Sequence, residues 1–308
     1  MIIKSWKDKK ENLHNGRVLK TKDGFDVIKC KECGFAHIIP IPTESELEDV
    51  YSHEYYDDEK PLYIESYIKD QDWHNVINSE RYDVLEQHVT SDHKRILDIG
   101  SGPGLFLKHG KERGWDVQGI EPSKQAHEYS TKKLDLNVFN GFFSKDTYEN
   151  FNTFDVVNLS LVLEHIPKPI EMVKLIRSIT KKGGLISISV PNDFNPFQNI
   201  LNKNLDYDSW WVAPPHHINY FNHSSLANFI KNMGYKVIHQ EGSFPIDMFL
   251  LMGDNYIDND KLGQKCHEKR KIFDINIAKD KDLGKKLRKS FAQIGIGREV
   301  VLIAKRVD

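Results

Sequence analysis

A short segment with three closely spaced glycines constrains this 308-residue chain more than any other feature. Residues 95–104 read R-I-L-D-I-G-S-G-P-G, and the apolar residues before the glycines are typical of a strand buried on both faces. The glycines predict a tight turn into a helix that starts near Leu105. Such a turn forms an anion-binding site, because free backbone N–H groups meet the positive end of the helix dipole there. Leu105 stands where the dinucleotide fingerprint G-x-G-x-x-G needs its third glycine, which argues against a dehydrogenase.

Three further motifs follow the glycine loop in order along the chain. They are G-I-E-P-S at 119–123, F-D-V-V with V-L-E-H-I at 154–166, and G-G-L-I-S-I-S-V-P-N at 183–192. Glu121 ends the predicted strand 115–120, where a carboxylate can accept both hydroxyl hydrogens of a bound ribose. Together the four motifs resemble those of the class I S-adenosylmethionine-dependent methyltransferases, over roughly residues 90–242.

The resemblance implies an α/β fold with a doubly wound, Rossmann-like sheet of seven mostly parallel strands and an antiparallel last strand. The methyltransferase domain is expected over residues 93–308, after a cysteine-containing hairpin subdomain at 1–60 and a linking helix at 61–92. Residues 243–290 are expected to form a helical insertion before the last strand. Its apolar start, F-P-I-D-M-F-L-L-M-G, is compatible with a lid, a dimer face or core.

The same resemblance implies S-adenosyl-L-methionine as the cofactor. The glycine loop would let the backbone approach the methionine end of the cofactor, and Glu121 would hold the ribose. Pro122 with Phe142 or Phe143 would face the adenine, while Leu159 and Ser160 would line the sulfonium side. The residues expected to bind the cofactor are therefore Asp98, Gly100, Ser101, Gly102, Gly104, Glu121, Pro122, Phe142, Phe143, Leu159 and Ser160.

A second signature, P-P-x-H-x-x-Y-F at 214–221, matches methyltransferases that modify sugars. A hydroxyl acceptor needs a general base, and histidine is the side chain most easily poised for this near neutral pH. His217 in this signature and His165 after the predicted strand 154–159 are the candidates. Structural alternatives are a helix-start histidine at position 165 and a Tyr220 that closes the core instead of binding substrate.

The expected reaction is O-methylation of a small hydroxylated metabolite, such as a sugar or sugar nucleotide. One alternative is a methyltransferase with a quinone-precursor, carbon or nitrogen acceptor. A different class is a non-catalytic protein that keeps the cofactor pocket while its cysteine hairpin recruits a partner. The intact glycine loop, Glu121 and the His217 signature argue against that class.

The N-terminal region contains C-K-E-C-G, in which Cys30-x-x-Cys33-Gly has the shape of a zinc knuckle. The sugar-modifying methyltransferases carry two Cys-x-x-Cys pairs before a P-x-P segment, and this chain lacks the first pair. His14 stands near that missing pair, and His37 follows the second. The sequence thus suggests a structural Zn²⁺ site of His14, Cys30, Cys33 and His37, with a metal-free hairpin as the alternative.

Two oppositely charged segments stand out. Residues 44–59 hold eight acids and no Lys or Arg, and predict a helix; Tyr51, Tyr55, Tyr56 and Tyr63 recur nearby at helical spacing, as packing residues. Residues 261–290 hold eleven Lys or Arg and four Asp or Glu, a net +7. This basic segment could attract a phosphorylated substrate or face the acidic one.

Composition excludes several classes of function. The net charge of −2 argues against a general nucleic-acid or membrane-surface binder. No apolar stretch approaches the length of a membrane span, and the start M-I-I-K-S-W-K has no signal core. Three cysteines cannot form a disulfide framework. The expected setting is a reducing cytoplasm, with a small molecule as the partner.

Overall fold

The computed structural model of this protein describes residues 2–43, 46 and 63–307. The predicted acidic helix and Tyr51, Tyr55 and Tyr56 lie outside this part, apart from Glu46. The strands are β1 Ile3–Lys7, β2 Leu13–Lys22, β3 Phe25–Cys30, β4 Ala36–Ile39, β5 Arg95–Ile99, β6 Asp116–Glu121, β7 Val138–Asn140, β8 Phe154–Ser160, β9 Thr180–Pro191, β10 Asn219–Tyr220, β11 Tyr235–Gly242 and β12 Glu299–Arg306.

The α-helices are α1 Tyr63–Lys69, α2 Gln71–Glu86, α3 Leu105–Glu112, α4 Lys124–Lys132, α5 Pro169–Ile179, α6 Pro196–Asn204, α7 His223–Asn232, α8 Asp247–Leu251, α9 Asp260–Ile277 and α10 Lys281–Gln293. Two 3₁₀ turns lie at Tyr148–Asn150 and Leu163–His165. The predicted single helix before the first core strand is divided into α1 and α2 at Asp70.

The large sheet has seven strands in the order β11-β12-β9-β8-β5-β6-β7. The pairs among β9, β8, β5, β6 and β7 are parallel, whereas β12 runs antiparallel to β9 and β11. The first six residues of β8 are all buried, as expected of a strand covered on both faces. This topology confirms the predicted fold, and it brings the ends of β5, β6, β8 and β9 to one edge, where such sheets bind ligands.

The small sheet has the order β1-β2-β3-β4-β10 and is antiparallel. The N-terminal hairpin is therefore extended by a strand from the P-P-H-H-I-N-Y-F segment. Strand β10 pairs Asn219 with His37 and Tyr220 with Ala36. Pairing satisfies the edge of β4, and Tyr220 covers an apolar cluster that includes Val27 and Ile38.

The insertion between β11 and β12 is helical, as predicted. The apolar start of this insertion is only partly in the core: Phe249 and Leu250 are buried, whereas Met252 is exposed. The basic residues that follow pair with acids near or within α2: Lys271 with Asp70, Lys281 with Asp83 and Arg288 with Glu80. Helix α2 thus supplies carboxylate partners for the basic segment.

Candidate active site

The glycine loop after β5 takes a backbone conformation that side chains disfavour. Gly100, Gly102 and Gly104 have φ of 73°, 54° and 86°, in the left-handed region that favours glycine. A Cβ on Gly100 would lie 2.5 Å from a methyl carbon of Val162, in the loop after β8. The glycines therefore let the loop turn into α3 and let the loop after β8 pack directly on it.

The backbone N–H groups of Gly100, Ser101 and Gly102 all have partners within the fold, so this part of the loop does not supply the free N–H groups that the pattern predicts. The N–H groups of Gly100 and Ser101 both donate to the carbonyl of Ile120, at 2.8 and 3.0 Å. The N–H of Gly102 donates to Glu121 Oε2 at 2.8 Å. The Ser101 side chain lies towards Gly119 of β6. These bonds fasten the loop to the end of β6, so it contributes close backbone approach.

Glu121 lies at the end of β6 with only 1% of its surface exposed. Besides the bond from Gly102, its Oε1 accepts a hydrogen bond from the N–H of Ser123 at 2.8 Å. Each carboxylate oxygen therefore holds one hydrogen bond and keeps acceptor capacity for another. Burial raises the pKa of Glu121 to about 7.

A row of polar residues crosses the sheet beside the loop. Asp98, Asn158 and Ser187 are register partners on β5, β8 and β9. Asn158 Nδ2 donates to Asp98 Oδ1 at 2.8 Å, and burial raises the pKa of Asp98 to about 7. Arg81 of α2 lies over this row, with Nη1 donating to Ser187 Oγ at 3.3 Å.

Arg81 was not identified from the sequence. It is 9% exposed, and within the described residues Ser187 is the one hydrogen-bond partner of its guanidinium. Its position between Ile77 and Leu85, at i and i+4 spacing, was the available signal: a charge in the apolar stripe of a helix. A buried guanidinium with unused donors is suited to bind a carboxylate.

The residues predicted to face the adenine and the sulfonium lie around the same edge. Pro122 directly follows Glu121, while Phe142 is 44% exposed and Phe143 packs against Phe151, with 6.2 Å between ring centroids. Leu159 is fully buried, and the hydroxyl of Ser160 lies 3.1 Å from that of Ser189. No ligand contact tests these roles, which stay predictions.

The two candidate bases meet in space although they are 52 residues apart in sequence. The rings of His165 and His217 lie edge to face with centroids 5.0 Å apart. His165 Nδ1 is 2.7 Å from the carbonyl oxygen of His216, and a carbonyl can only accept, so Nδ1 carries the hydrogen. This leaves Nε2 of a neutral His165 with a lone pair, 3.9 Å from Glu164 Oε1. Burial raises the pKa of Glu164 well above its usual range.

The ring of Tyr220 lies beside that of His217, with 6.4 Å between centroids, but its hydroxyl is used within the fold. Its hydroxyl accepts a hydrogen bond from the N–H of Ala213 at 3.2 Å, and its side chain is 2% exposed. Its ring packs in the apolar cluster beneath the small sheet, and burial raises its pKa. The structure therefore favours a core-closing role for Tyr220 over contact with an acceptor.

The four predicted metal ligands converge, with their ligand atoms all within 4.8 Å of one another. His14 Nδ1 lies 3.1 Å from His37 Nε2, 3.5 Å from Cys33 Sγ and 3.9 Å from Cys30 Sγ. Tetrahedral Zn²⁺ with bonds of about 2.0–2.3 Å separates its ligand atoms by about 3.3–3.8 Å. The cluster therefore fits Zn²⁺ in size and in donor type.

Two further features match a metal site. His37 Nδ1 is 2.9 Å from the carbonyl oxygen of Ile38, which fixes the tautomer that leaves Nε2 for a metal. A hydrogen bond between the thiols lowers the pKa of Cys30 and raises the pKa of Cys33. The opposite shifts mean that one sulfur is ionised while the other keeps its proton. A bound cation would allow both sulfurs to be thiolates.

No helix in the described ranges is long and apolar enough to cross a membrane. Comparison with known proteins gives one family match: a methyltransferase domain, over residues 76–240. Among curated relatives, a ubiquinone biosynthesis O-methyltransferase of Coxiella burnetii is 27% identical over 135 residues, which cover 40% of this chain and 58% of the relative. A protein of the same name from Azoarcus sp. is 32% identical over 184 residues, 54% of this chain and 74% of the relative.

Among solved structures, the magnesium protoporphyrin IX methyltransferase of Synechocystis with bound SAH superposes with a TM-score of 0.50 at 12% identity. The match covers 86% of this chain and all of that one. At this identity the likeness is one of fold.

Proposed function

This chain belongs to the methyltransferase family matched over residues 76–240, and on that premise we propose that it methylates a hydroxyl group of a small molecule. The observation that carries the proposal is the contact between the rings of His165 and His217, whose centroids are 5.0 Å apart. Their loops lie at the edge of the large sheet that also holds the glycine loop. Val162 packs against Gly100, so the loop before His165 adjoins the proposed cofactor site. A base beside a methyl donor is the arrangement that hydroxyl methylation needs.

S-adenosylmethionine supplies a methyl group already activated by the sulfonium charge, so the protein mainly positions reactants and manages one proton. Glu121 would accept hydrogen bonds from the two ribose hydroxyls with the acceptor capacity left on its oxygens. The glycine loop would let the backbone lie against the cofactor. Arg81 would hold the methionine carboxylate, and Asp98 would stabilise the methionine ammonium.

Within the histidine pair, we assign the role of general base to His217. The Nδ1 hydrogen of His165 is committed to the carbonyl of His216, which fixes the His165 ring relative to the segment that carries His217. His217 would take the proton of the acceptor hydroxyl as the oxygen attacks the methyl group in line. The His165 ring lies edge to face with the imidazolium that forms and would help to hold it in place.

The acceptor class has two candidates. The P-P-x-H-x-x-Y-F signature favours a sugar or sugar nucleotide, as in the methyltransferases it resembles. The names of the Coxiella and Azoarcus relatives favour a hydroxylated quinone precursor. Both place the methyl group on oxygen, which agrees with a histidine base.

The test is methyl transfer from tritiated S-adenosylmethionine to three acceptor pools: nucleotide sugars, free sugars and hydroxylated quinone precursors. Mass spectrometry of the labelled product should show a gain of one methyl group on oxygen. Label on a carbon or nitrogen atom would reject the hydroxyl assignment. Cofactor binding without transfer to any pool or to a cell extract would favour the non-catalytic class.

A further inference from the structure

Strand β10 lies between the Cys/His cluster and the two histidines, and it contacts both. On one side, Asn219 is the register partner of the metal-ligand candidate His37. The N–H of Ile38 also donates to the carbonyl of Ile218 at 3.0 Å. One short strand is thus joined to the segment that carries a ligand of the cluster.

On its other side, β10 and the residue before it hold the loop of His165. The N–H of Ile218 donates to the carbonyl of Glu164 at 2.8 Å. Asn219 Nδ2 donates to the carbonyls of Leu163 and Ile166, at 3.0 and 2.8 Å. The amide of Asn219 therefore spans the 3₁₀ turn that carries His165.

The Asn219 bonds are of a kind that fixes geometry. Asn219 is 2% exposed, so losing its amide would leave the buried carbonyl of Leu163 and the partly buried carbonyl of Ile166 without this donor. Its neighbours His217 and Ile218 belong to the same short segment, and His165 bonds back to His216. Bonds from the loop of His165 to residues 216, 218 and 219 therefore contribute to the relative placement of the two imidazoles.

We propose that Asn219 is a positioning residue for methyl transfer, and that a metal ion bound by His14, Cys30, Cys33 and His37 acts through β10 to hold the His165–His217 pair. The proposal rests on the proposed function for the role of the histidines. A metal fixes His37, the β4–β10 pairing fixes Asn219, and Asn219 fixes the His165 turn. Such geometry matters because a displacement of about 1 Å can lower a rate about 10²-fold.

The first experiment follows backbone hydrogen exchange in the full chain, loaded with Zn²⁺ and after chelation. Peptides over 36–39, 163–166 and 216–220 are compared with strand β12, 299–306, as the internal reference. We expect about one Zn²⁺ per chain, and faster exchange in all three peptides after chelation, with the reference unchanged. Faster exchange at 36–39 alone would overturn the coupling, as would a chain that binds no Zn²⁺ when prepared without chelators.

The second experiment compares Asn219→Ala with Asn192→Ala as a matched control. Asn192 is also fully buried, and its Nδ2 donates to the carbonyls of Gly295 and Gly297 at 3.0 and 3.1 Å. Both variants should lose thermal stability. Only Asn219→Ala should speed exchange at 163–166 and lower kcat, on the order of 10²-fold, with KM for S-adenosylmethionine unchanged.

Asn219→Gln keeps both amide donors and should recover part of the lost kcat, with zinc content unchanged in all variants. Equal loss of kcat in the Asn219→Ala and Asn192→Ala proteins would mean that Asn219 acts through stability alone, against the proposal. If the wild-type chain transfers no methyl group, the proposed function fails, and hydrogen exchange still decides whether β10 couples the metal to the histidine loops.

Discussion

The glycine loop and the two-histidine site lie at the same edge of the large sheet, yet they are built in opposite ways. The loop is continuous in sequence with β5 and α3, and its bonds run to the end of the next strand, at Ile120 and Glu121. The histidine site joins three distant segments: the loop after β8, residues 216–219, and β4 of the N-terminal sheet.

The geometry of the two sites therefore depends on different parts of the chain. A loop whose hydrogen bonds run to the neighbouring strand keeps its shape when distant parts of the chain change. A site assembled across segments depends on each hydrogen bond that joins them, and on whatever orders the N-terminal sheet. Cofactor binding should therefore be robust to changes near β10, and turnover should not be.

The largest expected effect is on the histidine side. His217→Gln should lower turnover roughly 10²–10⁴-fold, the usual range for loss of a general base, while the affinity for S-adenosylmethionine stays the same. Steady-state kinetics and calorimetry measure the two quantities. His223→Gln is the control, because His223 is a buried histidine whose Nε2 lies 3.1 Å from the carbonyl oxygen of Ile296 and which has no role in the proposed site.

His165→Gln tests the other histidine of the same site. Because His165 Nδ1 bonds to the carbonyl of His216, its loss should lower kcat through the position of His217 and alter acceptor KM less. Full turnover in both glutamine variants would show that neither histidine is the base.

For the cofactor site at the glycine loop, the expected effect is smaller and concerns the affinity for S-adenosylmethionine. Glu121→Ala removes a charged acceptor for two ribose hydroxyls and should weaken S-adenosylmethionine binding by roughly 2–3 kcal/mol, about 30–150-fold. Glu121→Gln keeps the shape and one acceptor oxygen, so it should lose less. Unchanged affinity by calorimetry in the alanine variant would remove Glu121 from the cofactor site.

The smallest effect is a pH dependence of binding. The folded chain without cofactor holds Glu121 with a pKa of about 7, so this carboxyl is mostly protonated below that pH. Only the ionised form accepts both ribose hydroxyls, so binding releases a proton and strengthens as pH rises. Affinity should be about tenfold higher at pH 8 than at pH 6. Glu121→Gln should reduce this dependence and leave the part due to Asp98, whose pKa is also about 7, whereas a wild-type chain with equal affinity at both pH values would contradict the prediction.

Much of the fold could be predicted because its signals are local. Buried strands appear as apolar runs such as 154–159, and a glycine loop identifies the turn after β5. The Cys30-x-x-Cys33-Gly turn is equally local. Arg81 and Asn219 were missed because one polar residue in a helix or strand gives no local sign of what it contacts, although the apolar stripe around Arg81 was a usable hint.

The α/β fold, the edge of the sheet at which the site lies and the residue types of the cofactor loop could be predicted from the sequence, since these follow from periodicity and from glycine's access to positive φ. The three-dimensional structure was needed to show that three N–H groups of the loop are used by β6, that Tyr220 is buried in the core, and that His165 meets His217. It also decided that β10 joins the small sheet and links the Cys/His cluster to the histidines. These outcomes depend on which distant segments pair, and hydrogen bonds between them are set by the packing of the whole chain.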